Sequence, residues 1–289
     1  MPRARGLGSL DVRLGHTLWR NVRCGKGRKS LLVSAIHFRP LRSKPDHNGP
    51  ALLALIESAL VQGARLIVAP ELALSGFAFR APEEIAPHAQ SIVGPFSRQL
   101  SKLAKKFHSI IVVGMAECDL WSGHLFNAAV IATPQTEPFT HRAPPHPEGW
   151  EVPPYRWITG FGSGPTRLMT PLGTLEVTIC SHLLRTDVPP AANGPGLFAV
   201  PAAWYDDFGR EPWLTQWRQI ARDRRSALVL ANRYGQEVYS NGMVVDFLPT
   251  SSSIIDSQGE VIAATSRREP TVLFARLIRG PAGVIGAAP

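Results

Sequence analysis

Residues 66–77 read LIVAPELALSGF. Leu66–Ala69 is a short apolar run, the pattern of a strand buried on both faces. An Ala-Pro pair leads straight into one carboxylate, Glu71, and more apolar residues follow before Ser75-Gly76. In open α/β sheets the carboxyl ends of strands are where ligands bind. Glu71 is therefore a candidate functional residue, and a cap or turn residue is the plain alternative.

Working outward, SLLVSAIHF (30–38) reads as the first strand, and ALLALIESALVQGA (51–64) has helical spacing with a stop signal at Gly63. Pro95–Phe107 is a second amphipathic helix that starts on its proline, and IIVVGM (110–115) and residues 128–132 are buried strands. The order β-α-β-α-β-β implies a layered α/β fold. Residues 133–165 are rich in Pro and Gly and have no period, so they read as a long loop that is functional or disordered. LEVTIC (175–180) is a strand ending at Cys180, LFAVPAAW (197–204) is the next, residues 212–226 are helical and ALVLANR (227–233) is a strand. SSSIIDSQGEVIAAT (251–265) reads as a hairpin turning at Gln258-Gly259. No internal repeat is present. The simplest partition is one domain over 30–277, a disordered basic extension over 1–29, and a tail over 278–289.

The chain has 289 residues, 44% of them hydrophobic, which is enough for a large core. No apolar run approaches the ~20 residues that span a bilayer, and the N-terminus lacks the apolar centre of a secretory signal. Cys24, Cys118 and Cys180 are few, odd in number and far apart, which argues against a disulfide framework or a metal cluster. A reducing, cytoplasmic setting follows as the expectation, with no cofactor and no metal. The net charge of +9 is local. Residues 1–29 carry eight basic side chains against Asp11 alone, +7 in all, which leaves +2 for the other 260 residues. Binding to nucleic acid is expected only, if at all, through that extension.

Cys180 shares the situation of Glu71 at the end of an apolar strand. A thiolate is a strong nucleophile whose formation responds to its neighbours, and a carboxylate against it can take the thiol proton and pass it to a leaving amine. The alternative is a small core cysteine.

The ordered set of segments resembles the nitrilase, or carbon–nitrogen hydrolase, superfamily. GARLIVAPELALSGF is similar to the segment carrying the general base, and IIVVGMAECDLWSGHLFNAAVI to the paired strands after it. PEGWEVP is similar to an amidase-type segment with a structural glutamate, and LEVTIC to the strand ending in the nucleophile. LFAVPAAW, RQIARDRRSALVLANRYG and SSSIIDSQGEVIA follow in family order. The resemblance implies a four-layer α-β-β-α sandwich assembled as a homodimer or a larger even number. It implies Cys180 as nucleophile, Glu71 as base and Glu148 as the second glutamate, acting on a small amide, nitrile or N-carbamoyl substrate through a thioester. Trp150, Trp157, Trp204 and Tyr205 lie in pocket-lining segments of the family, which implies an apolar or aromatic acyl group, with core packing as the alternative.

The pattern departs in two places. The family's oxyanion-stabilising lysine belongs between Ala132 and Glu148, yet the six lysines are Lys26, Lys29, Lys44, Lys102, Lys105 and Lys106. The nearest cation by register is Arg142, so Arg142 is the candidate replacement, although arginine presents its donors differently. After the nucleophile the chain reads CSHLLRTDVPP. If the strand continued, His182 would stand ~7 Å from Cys180 along it, too far for a direct hydrogen bond. Two other readings therefore stay open: a catalytically lapsed member serving as a binding or assembly module, and a soluble N-acyltransferase without the transmembrane helices of the membrane-bound ones.

Overall fold

The computed structural model describes residues 10–12, 23–24, 28–145, 156–162, 164–184, 196–205, 213–247, 252–281 and 283–287. The first half runs β1 (Leu10–Val12), β2 (Arg23–Cys24), β3 (Arg28–His37), α1 (Pro45–Val61), β4 (Leu66–Ala69), α2 (Pro82–Ile85), α3 (Pro95–Phe107), β5 (Ile110–Cys118), β6 (Leu125–Ala132) and β7 (Phe139–Arg142). The second half runs β8 (Thr166–Thr170), β9 (Gly173–Val177), β10 (Leu197–Pro201), α4 (Trp213–Arg224), β11 (Ala227–Ala231), β12 (Gln236–Val238), β13 (Val244–Asp246), β14 (Ser252–Ile255), β15 (Val261–Thr265), β16 (Thr271–Gly280) and β17 (Gly283–Ala287).

Two sheets stack face to face. One has the order β17-β16-β3-β4-β5-β6-β7, with β2 also paired to β3, and the other β1-β8-β9-β10-β11-β14-β15. The two-residue period of each strand divides its side chains between two layers. Leu66, Val68, Ile110, Val112 and Ala129 meet Leu175, Val177, Ala199 and Leu228 between the sheets. Ile67, Ala69, Ile111, Val113 and Val130 face outward onto Leu52, Ile56, Leu100 and Ala104 of α1 and α3. On the far side α4 buries Trp213, Trp217 and Ala221 against β11 and β14. The result is a four-layer α-β-β-α sandwich. Parallel pairing of β3, β4 and β5, and of β9, β10 and β11, brings the carboxyl ends of two sheets to one edge.

Several boundaries differ from the sequence expectation. The helix α1 starts at Pro45, six residues early, because proline suits a first helical position. The stretch read as irregular contains β7, which pairs antiparallel with β6, and β8 follows immediately after it. The extension 1–29 supplies strands: Leu10–Val12 lies parallel to β8, and Arg23–Cys24 pairs with β3. The tail read from residue 278 is also sheet. The strand β16 pairs with β3 from Thr271 to Ile278, and β17 folds back on β16 from Gly283 to Ala287. Burial of Leu273, Ala275 and Leu277 on one face explains this extension, since the alternation runs on without a break.

Candidate active site

The strand β4 delivers Glu71 into the protein, where it is fully buried. Its main-chain N–H donates to the Ala202 carbonyl at the end of β10, 3.3 Å away, so the two sheets meet here. Its carboxylate Oε1 accepts from Asn127 Nδ2 at 2.6 Å. Asn127 is the one amide in the apolar run LFNAAVI, and it lies on the inner face of β6 with Ala129. Beneath the glutamate, Gly114 N–H donates to Pro70 O at 3.1 Å, and Gly114 O accepts from Ala73 N at 2.9 Å. A Cβ at Gly114 would stand 2.4 Å from Glu71 Cα and 2.6 Å from Pro70 O. Both obstacles are backbone, so Gly114→Ala must displace Glu71. We expect an on the order of 10²-fold loss in the rate of acyl transfer, the scale of a ~1 Å misplacement, measured in protein whose circular dichroism is unchanged.

The strand before Cys180 ends at Val177, and Cys180 opens a 3₁₀ turn that runs to Leu184. Its φ is 47°, in the left-handed region that costs a residue with a side chain of order 1 kcal/mol. Leu72, next to Glu71, has φ 49°. Both strained residues thus flank the same few atoms. The Glu71 carboxylate and the main-chain N–H groups of Ala203 and Ser181 are the polar neighbours that act on the Cys180 thiol. Burial first, and the Glu71 carboxylate second, push the thiol pKa well above its ordinary value, against the pull of those two N–H groups. The resting pair is therefore a protonated thiol on a base already oriented by Asn127. A base so placed can take the sulfur's proton at the moment of attack.

Arg142 does not take part. Side chains of paired residues share a face, and Arg142 pairs with Ala128, one residue out of step with Asn127. Its guanidinium lies on the outer face, 3.9 Å from the centre of the Phe126 ring. Nε and one terminal nitrogen grip Glu117 at 2.9 and 2.7 Å, and the latter also reaches Asp119 at 2.6 Å. The expectation of an oxyanion role for Arg142 is thus corrected. Arg142→Met is expected to cost about 2 kcal/mol of stability, read by denaturant unfolding, with the rate of acyl transfer unchanged. On the inner face, Ala143 stands across from Asn127, and its N–H donates to Asn127 O at 2.8 Å. His141 is also inward, 3.2 Å from the Thr166 hydroxyl of the opposite sheet, and burial pushes its pKa down to about 4.

The expected binding residues separate. Glu148 and Trp150 lie outside the described residues. Trp204 is 1% exposed and packs its ring 4.3 Å from Trp213 and 6.1 Å from Trp217, so it belongs to the core beside α4. Its N–H donates to Asn232 Oδ1 at 2.9 Å, which fixes the main chain next to Ala203. Tyr205 turns the other way, into an aromatic cluster with Phe77, Phe247 and Trp157 that adjoins Leu72 and Ala203. Gly114 and Asn127 escaped the sequence reading. The signals were a glycine inside IIVVGM and an amide inside LFNAAVI.

Residues 32–283 match the carbon–nitrogen hydrolase family. A nitrilase of Pyrococcus abyssi (strain GE5 / Orsay) is 36% identical over 104 residues, which is 36% of this chain and only 39% of that protein. Among solved structures, a carbon–nitrogen hydrolase from Helicobacter pylori G27 superposes with a TM-score of 0.70 at 19% identity, covering 86% of this chain and 88% of that one. A variant of the amidase from Nesterenkonia AN1 gives 0.67 at 17% identity, covering 84% and 89%. A superfamily protein from Xanthomonas campestris with an arsenic adduct in its active site gives 0.66 at 19%, covering 85% and 90%. These likenesses are of fold.

Proposed function

Because the chain belongs to the carbon–nitrogen hydrolase family, we propose that it hydrolyses a small amide, nitrile or N-carbamoyl compound through a thioester on Cys180. The observation that supports this most is the placing of the buried Glu71 carboxylate, held by Asn127, where it acts on the Cys180 thiol. For an amide, Glu71 takes the thiol proton as the sulfur attacks the carbonyl carbon. The negative charge moves to the carbonyl oxygen, where the Ser181 N–H beside Cys180 is a ready donor. Glu71 then passes its proton to the nitrogen, the C–N bond breaks and the amine leaves. Water, deprotonated by Glu71, attacks the thioester, and the acid departs with the thiol restored. The cluster of Tyr205, Phe77, Phe247 and Trp157 favours an apolar or aromatic acyl group.

The test combines turnover with labelling. Ammonia release from benzamide-type compounds should exceed that from acetamide, and iodoacetamide should label Cys180 before Cys118. Labelling of both cysteines only after unfolding, with no release from any amide, nitrile or N-carbamoyl compound, would favour the second reading, a lapsed enzyme kept as a binding module. Two observations support that second reading: no lysine follows Lys106, and the residue facing Asn127 just past β7 is Ala143.

A further inference from the structure

When the Cys180 proton passes to Glu71 the negative charge moves onto the sulfur, and the sequence offers no lysine beyond Lys106. The 3₁₀ turn that begins at Cys180 carries one ionisable side chain that the mechanism above does not use. His182 is 7% exposed, and its two ring nitrogens each face a main-chain carbonyl oxygen. Nδ1 is 3.0 Å from Ile179 O, and Nε2 is 3.0 Å from Pro144 O. A neutral imidazole has one N–H and one lone pair. A lone pair set against a carbonyl oxygen at that distance is repulsive, and neither carbonyl can donate. Only the doubly protonated ring satisfies both contacts.

The other two buried histidines differ. His37 also has a carbonyl at each nitrogen, Asn232 O at 3.1 Å from Nδ1 and Arg267 O at 2.9 Å from Nε2. Its Nδ1 has in addition the Ser252 hydroxyl at 2.9 Å, a group able to donate to a neutral ring, and burial pushes its pKa down. His141 Nδ1 faces the Thr166 hydroxyl, and burial keeps that ring neutral at pH 7. The position of His182 also matters. Its Nε2 contact, Pro144, is the residue after Ala143, whose N–H donates to Asn127 O just past β7, and Asn127 in turn holds Glu71. Two residues along a 3₁₀ turn is a rise of about 4 Å, against the ~7 Å that a continuing strand would impose. With both nitrogens on carbonyls, the ring is unsuited to act as a base toward the thiol.

We propose that His182 is an imidazolium fixed by the Ile179 and Pro144 carbonyls, and that it supplies the positive charge beside the Cys180 thiolate. It is a positioning residue: it acts on the sulfur through its charge. The role, though not the charge, rests on reading Cys180 as the nucleophile. A nearby opposite charge within ~4–6 Å shifts a thiol or carboxyl equilibrium by one or more powers of ten, so the loss expected on neutralising His182 is about ten-fold in thiolate supply.

Two measurements on the full chain test the two parts separately. In protein labelled with ¹⁵N-histidine at pH 7, long-range ¹H–¹⁵N correlations report each ring nitrogen, and the His182→Gln variant assigns the His182 signals by their loss. Both His182 nitrogens should appear as protonated N–H nitrogens, while His141 serves as an internal neutral ring with one unprotonated nitrogen. Iodoacetamide should alkylate Cys180 about ten-fold more slowly in His182→Gln, with His182→Arg recovering part of the rate. An unprotonated nitrogen at His182 would overturn the charge assignment. Equal alkylation rates in wild type and in a His182→Gln protein with a native circular dichroism spectrum would overturn the role. A protonated His182 beside a Cys180 inert to iodoacetamide in wild type would count against the nucleophile and leave the charge standing.

Discussion

Glu71→Gln is expected to slow acyl transfer by ~10³–10⁴, the upper range for loss of a positioned acid–base group. The substitution keeps the shape of the side chain, and an amide oxygen can still accept from Asn127 Nδ2, so the pocket survives. What disappears is a proton acceptor against the sulfur. The thiol pKa lies well above its usual value, so little thiolate forms unaided. Substrate affinity should change little, because the carboxylate acts on the proton of the nucleophile. Stability should hold or rise, since the variant removes a buried charge. The check is kcat against KM on the best amide, with a melting curve beside it. A variant retaining more than a tenth of the wild-type rate would mean that another group receives the thiol proton.

Glu237→Ala is expected to destabilise the fold by about 3–5 kcal/mol, the cost of breaking a buried ion pair. Glu237 forms an ion pair with Arg233, and both side chains are almost wholly buried. Its Oε2 also accepts the Phe77 and Ala78 N–H groups at 2.7 and 2.9 Å. One carboxylate therefore joins the loop that follows Glu71 to the segment that follows β11. Arg233 is further enclosed by aromatic rings, 4.4 Å from the Phe247 centroid and 5.8 Å from that of Phe77. Alanine would remove the carboxylate partner of a buried arginine and leave two buried N–H donors without that acceptor, which native interiors rarely tolerate. Urea unfolding measures the loss. An unfolding free energy within about 0.5 kcal/mol of wild type, the range of ordinary surface substitutions, would show that the pair contributes nothing net. Arg233→Met with Glu237→Leu should be far milder than Glu237→Ala alone, because an apolar pair strands no charge.

The candidate pair was legible because short apolar strands announce their own ends. LIVA and LEV are each followed within three residues by a single residue with chemistry, and parallel strands bring such ends together. The face of a strand was less legible. Arg142 and Ala143 differ by one position, and a one-residue step inverts inside and outside. Nothing in FTHRA marks which residue is inward until β7 pairs with β6 and Asn127 fixes the register. The short polar strand had no apolar period of its own, so tertiary pairing decided it. The same holds for Leu10–Val12, whose place beside β8 depends on a partner over 150 residues away. The strand expected to run to Cys180 ends at Val177, and the left-handed backbone of Cys180 and the turn after it were hidden, because CSHLL carries no glycine to signal positive φ. That turn is what sets the His182 ring on the Ile179 and Pro144 carbonyls. Trp204 and Tyr205 are adjacent in sequence and point into different layers, so their shared aromatic character said nothing about which one meets a ligand.

The central claim is a covalent acyl intermediate on Cys180 with Glu71 as its base. It is tested most directly by acid-quenching the protein during turnover of an aromatic amide or its activated nitrophenyl ester, then measuring intact mass and mapping the modified peptide. Expected is an added mass equal to the acyl group, carried by the Cys180 peptide, sensitive to hydroxylamine, and longer-lived in Glu71→Gln treated with the activated ester. Product formation without any adduct on Cys180, or an adduct carried by Cys118, would contradict it.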